Sequence, residues 1–118
     1  MSRPLPTSRE RVDQVLAWLT ARGYRLVARN LRVGRQQIDV VVTDGPQTVF
    51  VVVKVERARG FGGAIELADR RTARRLVRAV SRYLAEHPGV PSVRIDVVAV
   101  VLDGHGGWRL EHYVNAVP

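Results

Sequence analysis

The sequence predicts an α/β domain with its sheet between two helices. Two segments with helical apolar spacing, 8–22 and 67–87, alternate with strand-like runs in the order helix, three strands, long helix, two strands. One of those runs, 47–55, is apolar on both faces, which places it centrally in a sheet covered on both sides. At 118 residues the chain suits one domain, 1–118, with 1–7 expected to be a flexible N-terminal tail.

Each element has its own signal. From Ser8 to Arg22 the apolar positions Val12, Val15, Leu16 and Leu19 recur at helical spacing, with Ser8 as N-cap and Gly23 as stop. "YRLVARNLRV" alternates in part, as a strand exposed on one side does. Strands over 36–43 and 47–55 form a hairpin through "TDGPQ", whose Asp-Gly-Pro is strong turn chemistry. After the glycine-rich "RARGFGGA", the helix over 67–87 sets Ala73, Leu76, Val77, Val80, Tyr83 and Leu84 on one face. Arg71, Arg74, Arg75, Arg78 and Arg82 fall on the other. "HPG" stops that helix, and "SVRIDVVAVVL", the turn "DGHGG" and "WRLEHYVNAV" complete the chain.

Composition narrows the function classes. The 19 basic residues outnumber 11 acidic ones for a net charge of +8, and all but Lys54 are arginine. That balance favours polyanionic partners, DNA or RNA, because arginine forks match phosphate bidentately. Cysteine is absent, which excludes disulfides, thiolate catalysis and Cys-based zinc sites. No apolar run reaches the ~18 residues of a membrane span, and "MSRPLPTSRER" lacks the apolar core of a signal peptide. A cytoplasmic protein without a membrane partner is expected. No acidic residue interrupts the arginines between Arg70 and Arg82, so i,i+4 ion pairing is not their role. They form either a solvated face or a track for a polyanion. Arg57 and Arg59, entering the glycine-rich loop, are candidate phosphate contacts or simply part of a connection.

Two charges stand where apolar strands should carry none: Asp39 and Lys54. With them come five ordered segments: "RGYRLVARNLR" (22–32), "IDVVV" (38–42), "VFVVVK" (49–54), "VRIDVVAV" (93–100) and "EHYVNA" (111–116). In these the chain resembles the YraN-like family of uncharacterised bacterial proteins, from about residue 10 to the C-terminus. The resemblance implies a restriction-endonuclease-like, PD-(D/E)XK-type architecture: a mixed sheet flanked by the N-terminal helix and the long arginine-rich helix.

The resemblance also implies a charged centre, and this chain departs from it on the acids. Family members read Glu-Ile-Asp where Gln37, Ile38 and Asp39 stand, and Glu-Val-Lys where Val52, Val53 and Lys54 stand. A usual glutamate of the first helix aligns near Val12, and a usual lysine of the long helix near Thr72. Phosphodiester hydrolysis on this fold uses carboxylates of adjacent strands to hold magnesium, a hard cation that takes oxygen ligands. Valine supplies no oxygen. Asp39 and Lys54 are therefore the remnant of the catalytic set, kept as a structural ion pair, as retained chemistry or, for Lys54, as a phosphate contact; Gln37 and Val52 mark lost acids, and Mg or Mn is expected to bind weakly or not at all.

Candidate replacements are few. Glu56 shares the face of Lys54 but lies roughly 6 to 7 Å further along the strand. Glu66, with Asp69, stands near the start of the long helix and is the candidate migrated metal ligand, although acids at a helix N-terminus are also favoured by the macrodipole alone. His87, His105 and His112 have no metal-ligand spacing. Arg94 and Asp96, two apart on one strand face, are expected to pair, and Trp18 and Trp108 to pack. Three functions follow: a nucleic-acid-binding protein with a degenerate metal centre, a metal-dependent endonuclease with a migrated carboxylate, or a homodimer or protein-interaction scaffold without enzymatic activity.

Overall fold

The computed structural model describes residues 7–57 and 70–116. Its elements are α1 (Ser8–Ala21), β1 (Arg25–Val33), β2 (Gln36–Asp44), β3 (Gln47–Arg57), α2 (Arg70–Glu86), β4 (Ser92–Leu102) and β5 (Trp108–Tyr113). The strands form one sheet in chain order, β1-β2-β3-β4-β5. All neighbours are antiparallel except β3 and β4, which run parallel and need the crossover that contains α2. The expected α/β class, the mixed sheet with β3 at its centre and the two flanking helices are all present, compatible with the restriction-endonuclease-like expectation.

Strand alternation divides the core into two layers, except that β2 changes face between Ile38 and Val40. Val12, Val15 and Leu19 of α1 pack on Val40, Val42, Val49, Val51 and Val98. On the opposite face Leu76, Ala79, Val80 and Tyr83 of α2 pack on Ile38, Val41, Phe50 and Ile95. Phe50 meets Tyr83 edge-on, ring centroids 5.2 Å apart, which fixes α2 over the middle of the sheet. The β2–β3 turn is Gly45-Pro46, and a positive φ of 57° at Gly45 ahead of proline's fixed negative φ suits a type II′ hairpin turn.

Two details differ from the sequence expectation. The N-cap is Thr7, not Ser8: its hydroxyl accepts the Glu10 N–H at 3.2 Å and donates to the Glu10 carboxylate, a side-chain pair that the Thr-x-x-Glu spacing allows and Ser8 lacks. In α2, Val77 is 42% exposed while Ala79 is buried. The buried stripe follows 76, 79, 80 and 83, so Val77 lies on the flank of the arginine face, where its spacing to Ala73 and Val80 had suggested core.

Phe50→Ala is expected to cost about 3 to 5 kcal/mol in urea unfolding, and Val77→Ala to stay within about 0.5 kcal/mol. A comparable loss at both positions would mean that α2 docks through a different face.

Candidate functional site

A fork in the sheet positions the two strand charges. The β2–β3 ladder runs from Asp44 opposite Gln47 to Val40 opposite Val51 and ends there. Beyond it β2 stays paired to β1 as far as Gln36, and β3 stays paired to β4 as far as Arg57. Asp39 sits where the strands part. Its Oδ2 accepts the Val53 N–H at 2.8 Å, so the carboxylate takes the place of the missing backbone acceptor. Burial pushes the Asp39 carboxyl above its usual value, against the opposing effects of the Val53 hydrogen bond and the nearby Arg11 guanidinium of α1. Arg11 was not singled out from the sequence, where nothing distinguishes it from the other arginines.

The remaining positions of the expected centre are near Asp39 but hold different chemistry. Lys54 is half-buried on β3, in register with Ala99 of β4. Val52, two residues back on the same strand face, packs against the core beneath α2. Gln37 is exposed, and its amide reaches the Asn30 side-chain oxygen at 3.5 Å. Among the described residues no three Asp, Glu, His or Cys side chains come together as metal ligands. Among the described residues, the Asp39 carboxylate, the Gln37 amide and a packed valine do not fit an octahedral magnesium site. Glu66 and Asp69 lie outside the described residues, as does Arg59.

The arginines of α2 are where helical periodicity places them: Arg71, Arg74, Arg75, Arg78 and Arg82 are all exposed. Arg57 is exposed at the end of β3, beyond the fork. Arg75, Arg78 and Arg82 also line a cavity shared with the β1–β2 turn, whose Arg35 is a fourth basic residue. Sequence reasoning missed Arg35, although the Gly34-Arg35 turn between two strands was there to be read.

Arg94 and Asp96 do pair, within a larger buried network. Arg94 donates through Nε and Nη2 to the two carboxylate oxygens of Asp96 at 2.8 and 3.0 Å. The same carboxylate meets His112 Nε2 at 2.7 Å and accepts the Asn115 N–H at 2.8 Å. Arg94 further donates to Gln47 Oε1 and to the Tyr24 hydroxyl, both at 3.0 Å. Burial alone would raise the Asp96 carboxyl, but the hydrogen bonds from His112, Arg94 and Asn115 outweigh it and hold the group below its usual value. The network ties β4 to β5, β3 and the residue before β1.

The other singled-out residues have local roles. His87 meets the Tyr83 carbonyl at 2.8 Å through Nδ1 and stacks on its ring, and His105 donates its backbone N–H to Asp103 in the β4–β5 turn. Trp18 packs edge-on against His112 under the Arg22 guanidinium, which lies 3.4 Å from the ring centroid, while Trp108 is half-buried at the start of β5.

Residues 13–100 match the model of the uncharacterised protein family UPF0102. The chain is 43% identical over 102 residues to a UPF0102 protein of Halorhodospira halophila, covering 86% of this chain and 81% of the relative. It is 39% identical over 115 residues to one of Methylococcus capsulatus, covering 98% and 92%. A third, from Beutenbergia cavernae, is 43% identical over 96 residues, covering 80% and 81%.

The two buried carboxylates should respond to pH in opposite senses. Because the Asp39 pKa is raised, the stability of the protein falls as pH climbs from the usual carboxylate value of 3.8 through the folded-state pKa. Asp39→Asn, which keeps an acceptor for Val53, is expected to raise the thermal midpoint at pH 7 and to lose that advantage below pH ~3.5. An equal effect at both pH values would refute the burial argument. Asp96, whose pKa is lowered, contributes stability that is present above 3.8 and lost as pH falls through its folded value. Removing it strands Arg94 and His112, so Asp96→Ala should cost about 3 to 5 kcal/mol at neutral pH, checked by urea unfolding.

Proposed function

The chain belongs to the uncharacterised protein family UPF0102, and from that premise we propose that it binds nucleic acid on a nuclease-type α/β frame whose metal centre is degenerate, with hydrolysis weak or absent. The observation that carries this reading is the exposed arginine face of α2, five guanidiniums on a helix held against the sheet by its opposite face. Guanidinium groups remain charged at every physiological pH, and phosphate oxygens accept from them in pairs. The same charges repel one another along a bare helix, so a polyanion laid across them relieves a cost the free protein carries. DNA and RNA share the phosphate chemistry that these contacts use.

The fork supports the second half of the proposal. Asp39 directs an oxygen to the Val53 N–H, Val52 supports the α2 layer, and Gln37 offers an amide at the surface. In this arrangement Asp39 and Lys54 shape the strand junction without assembling an oxygen cage for a divalent cation. Affinity then comes from arginine and phosphate contacts.

A homodimer reading has its own supporting observation. Leu26 and Val27 are 48% and 47% exposed on β1, the edge strand of the sheet. An exposed edge with apolar side chains is a template for pairing with a second strand. Sedimentation across protein concentration separates this reading from nucleic-acid binding, which depends on salt.

Single-stranded and branched DNA should bind with a log K against log salt slope of roughly −3 to −5, as expected when about five phosphates are neutralised. No cleavage in manganese is expected, and Asp39→Ala should bind as the parent does. A flat salt dependence would remove the nucleic-acid reading, and cleavage abolished by Asp39→Ala would establish an active metal site. Installing both acids, Gln37→Glu with Val52→Glu, should increase manganese affinity in calorimetry; unchanged affinity would mean that the lost site lies elsewhere.

A further inference from the structure

The β1–β2 turn and the middle turns of α2 flank an open cavity of about 530 Å³, lined by Val33, Gly34, Arg35, Gln36, Arg75, Arg78, Ala79 and Arg82. Four of these eight residues are arginine, and none is acidic. Arg75, Arg78 and Arg82 follow i, i+3, i+7 spacing and so share one helix face, while Arg35 approaches from a different element at the tip of a two-residue turn. Gly34 makes the approach possible. Its φ of +61° is a conformation that favours glycine, and a Cβ at that position would lie 3.1 Å from Arg82 Nη1, so the Arg82 guanidinium end lies against this turn. Arg82 pairs with Glu86 at 3.4 Å, an i,i+4 ion pair that the sequence expectation for the arginine run up to Arg82 excluded because Glu86 lies beyond that run. Both side chains are well exposed, and such a pair contributes little.

We propose that this cavity is a binding site for consecutive phosphoryl groups, with Arg35, Arg75, Arg78 and Arg82 as its donors. The volume is within the range of ligand pockets and exceeds what a single small anion needs. Four arginines from two elements line the cavity with no acidic residue among the lining, and several phosphoryl groups in series supply the missing counter-charge. The site is at the same end of the sheet as the fork, because Gln36 begins the stretch of β2 that leaves β3 and Asp39 lies three residues further along. A strand seated in the cavity would therefore continue toward Asp39 and Lys54. The phosphoryl groups can belong to a nucleic-acid backbone, in which case the inference rests on the function proposed above, or to a free polyphosphate.

Inorganic tripolyphosphate and a labelled single-stranded oligonucleotide, titrated separately and in competition against the full chain, distinguish these sources. Arg35→Gln and Arg78→Gln should each weaken tripolyphosphate binding about tenfold, the scale of one charge-assisted hydrogen bond. Arg25→Gln removes the same charge at the far end of β1 and should change it less than about twofold, since screening confines exposed charges to their neighbourhood. Displacement of the oligonucleotide by tripolyphosphate places the strand backbone in the cavity. Selective tripolyphosphate binding without any oligonucleotide binding keeps the site and removes the nucleic-acid function. Oligonucleotide binding weakened by Arg71→Gln and Arg74→Gln but not by Arg35→Gln overturns the site and leaves that function standing. Equal losses in Arg25→Gln and Arg35→Gln, or no binding of either probe, also overturn the site.

Discussion

The parallel pairing of β3 with β4 is the constraint on which the arrangement rests. A parallel neighbour cannot be reached by a tight turn, so the chain leaves the sheet after β3 and returns through α2. That crossover helix covers the second face of β3, and its buried stripe of Leu76, Ala79, Val80 and Tyr83 fixes which way its arginines point. The basic surface is thus a consequence of topology as much as of composition. The same five basic residues on a hairpin would alternate between faces and half of them would be lost to the core side.

Electrostatics at the strand junction and in the interior follow different rules. Asp96 is fully buried yet has four hydrogen-bond donors around it, which makes ionisation favourable there. Asp39 is only half-buried but has a single backbone donor and a more distant guanidinium, and ionisation there is disfavoured. The difference is the number of donors, not depth. An acid kept where its charge is poorly compensated costs stability, and such sites are where function is sought.

Much of this was legible in the sequence because periodicity reports burial. The continuous apolar run of β3 marked the centre of the sheet, and the 3.6-residue recurrence in α2 separated arginines from core. Its one error, Val77, arose because a flanking position is apolar without being covered. The capping residue was displaced by one because Ser8 and Thr7 are both competent and only the Glu10 partner decides between them. The Arg94–Asp96 pair was visible at spacing two, but Tyr24, Gln47 and His112 come to it from 70, 47 and 16 or more residues away, and pattern along the chain carries no such information. Arg35 escaped for the same reason: its companions are on a helix some forty residues later.

The packing of Val52 has a consequence for the side chains that position can accept. A glutamate arriving alone at position 52 would set a charge against the apolar layer beneath α2, beside Phe50 and Leu76, with Gln37 still unable to share a cation with it. Lys54, two residues further along the same face, is the positive charge that such a glutamate would meet first. The junction as it stands therefore favours an apolar side chain at position 52 through folding alone.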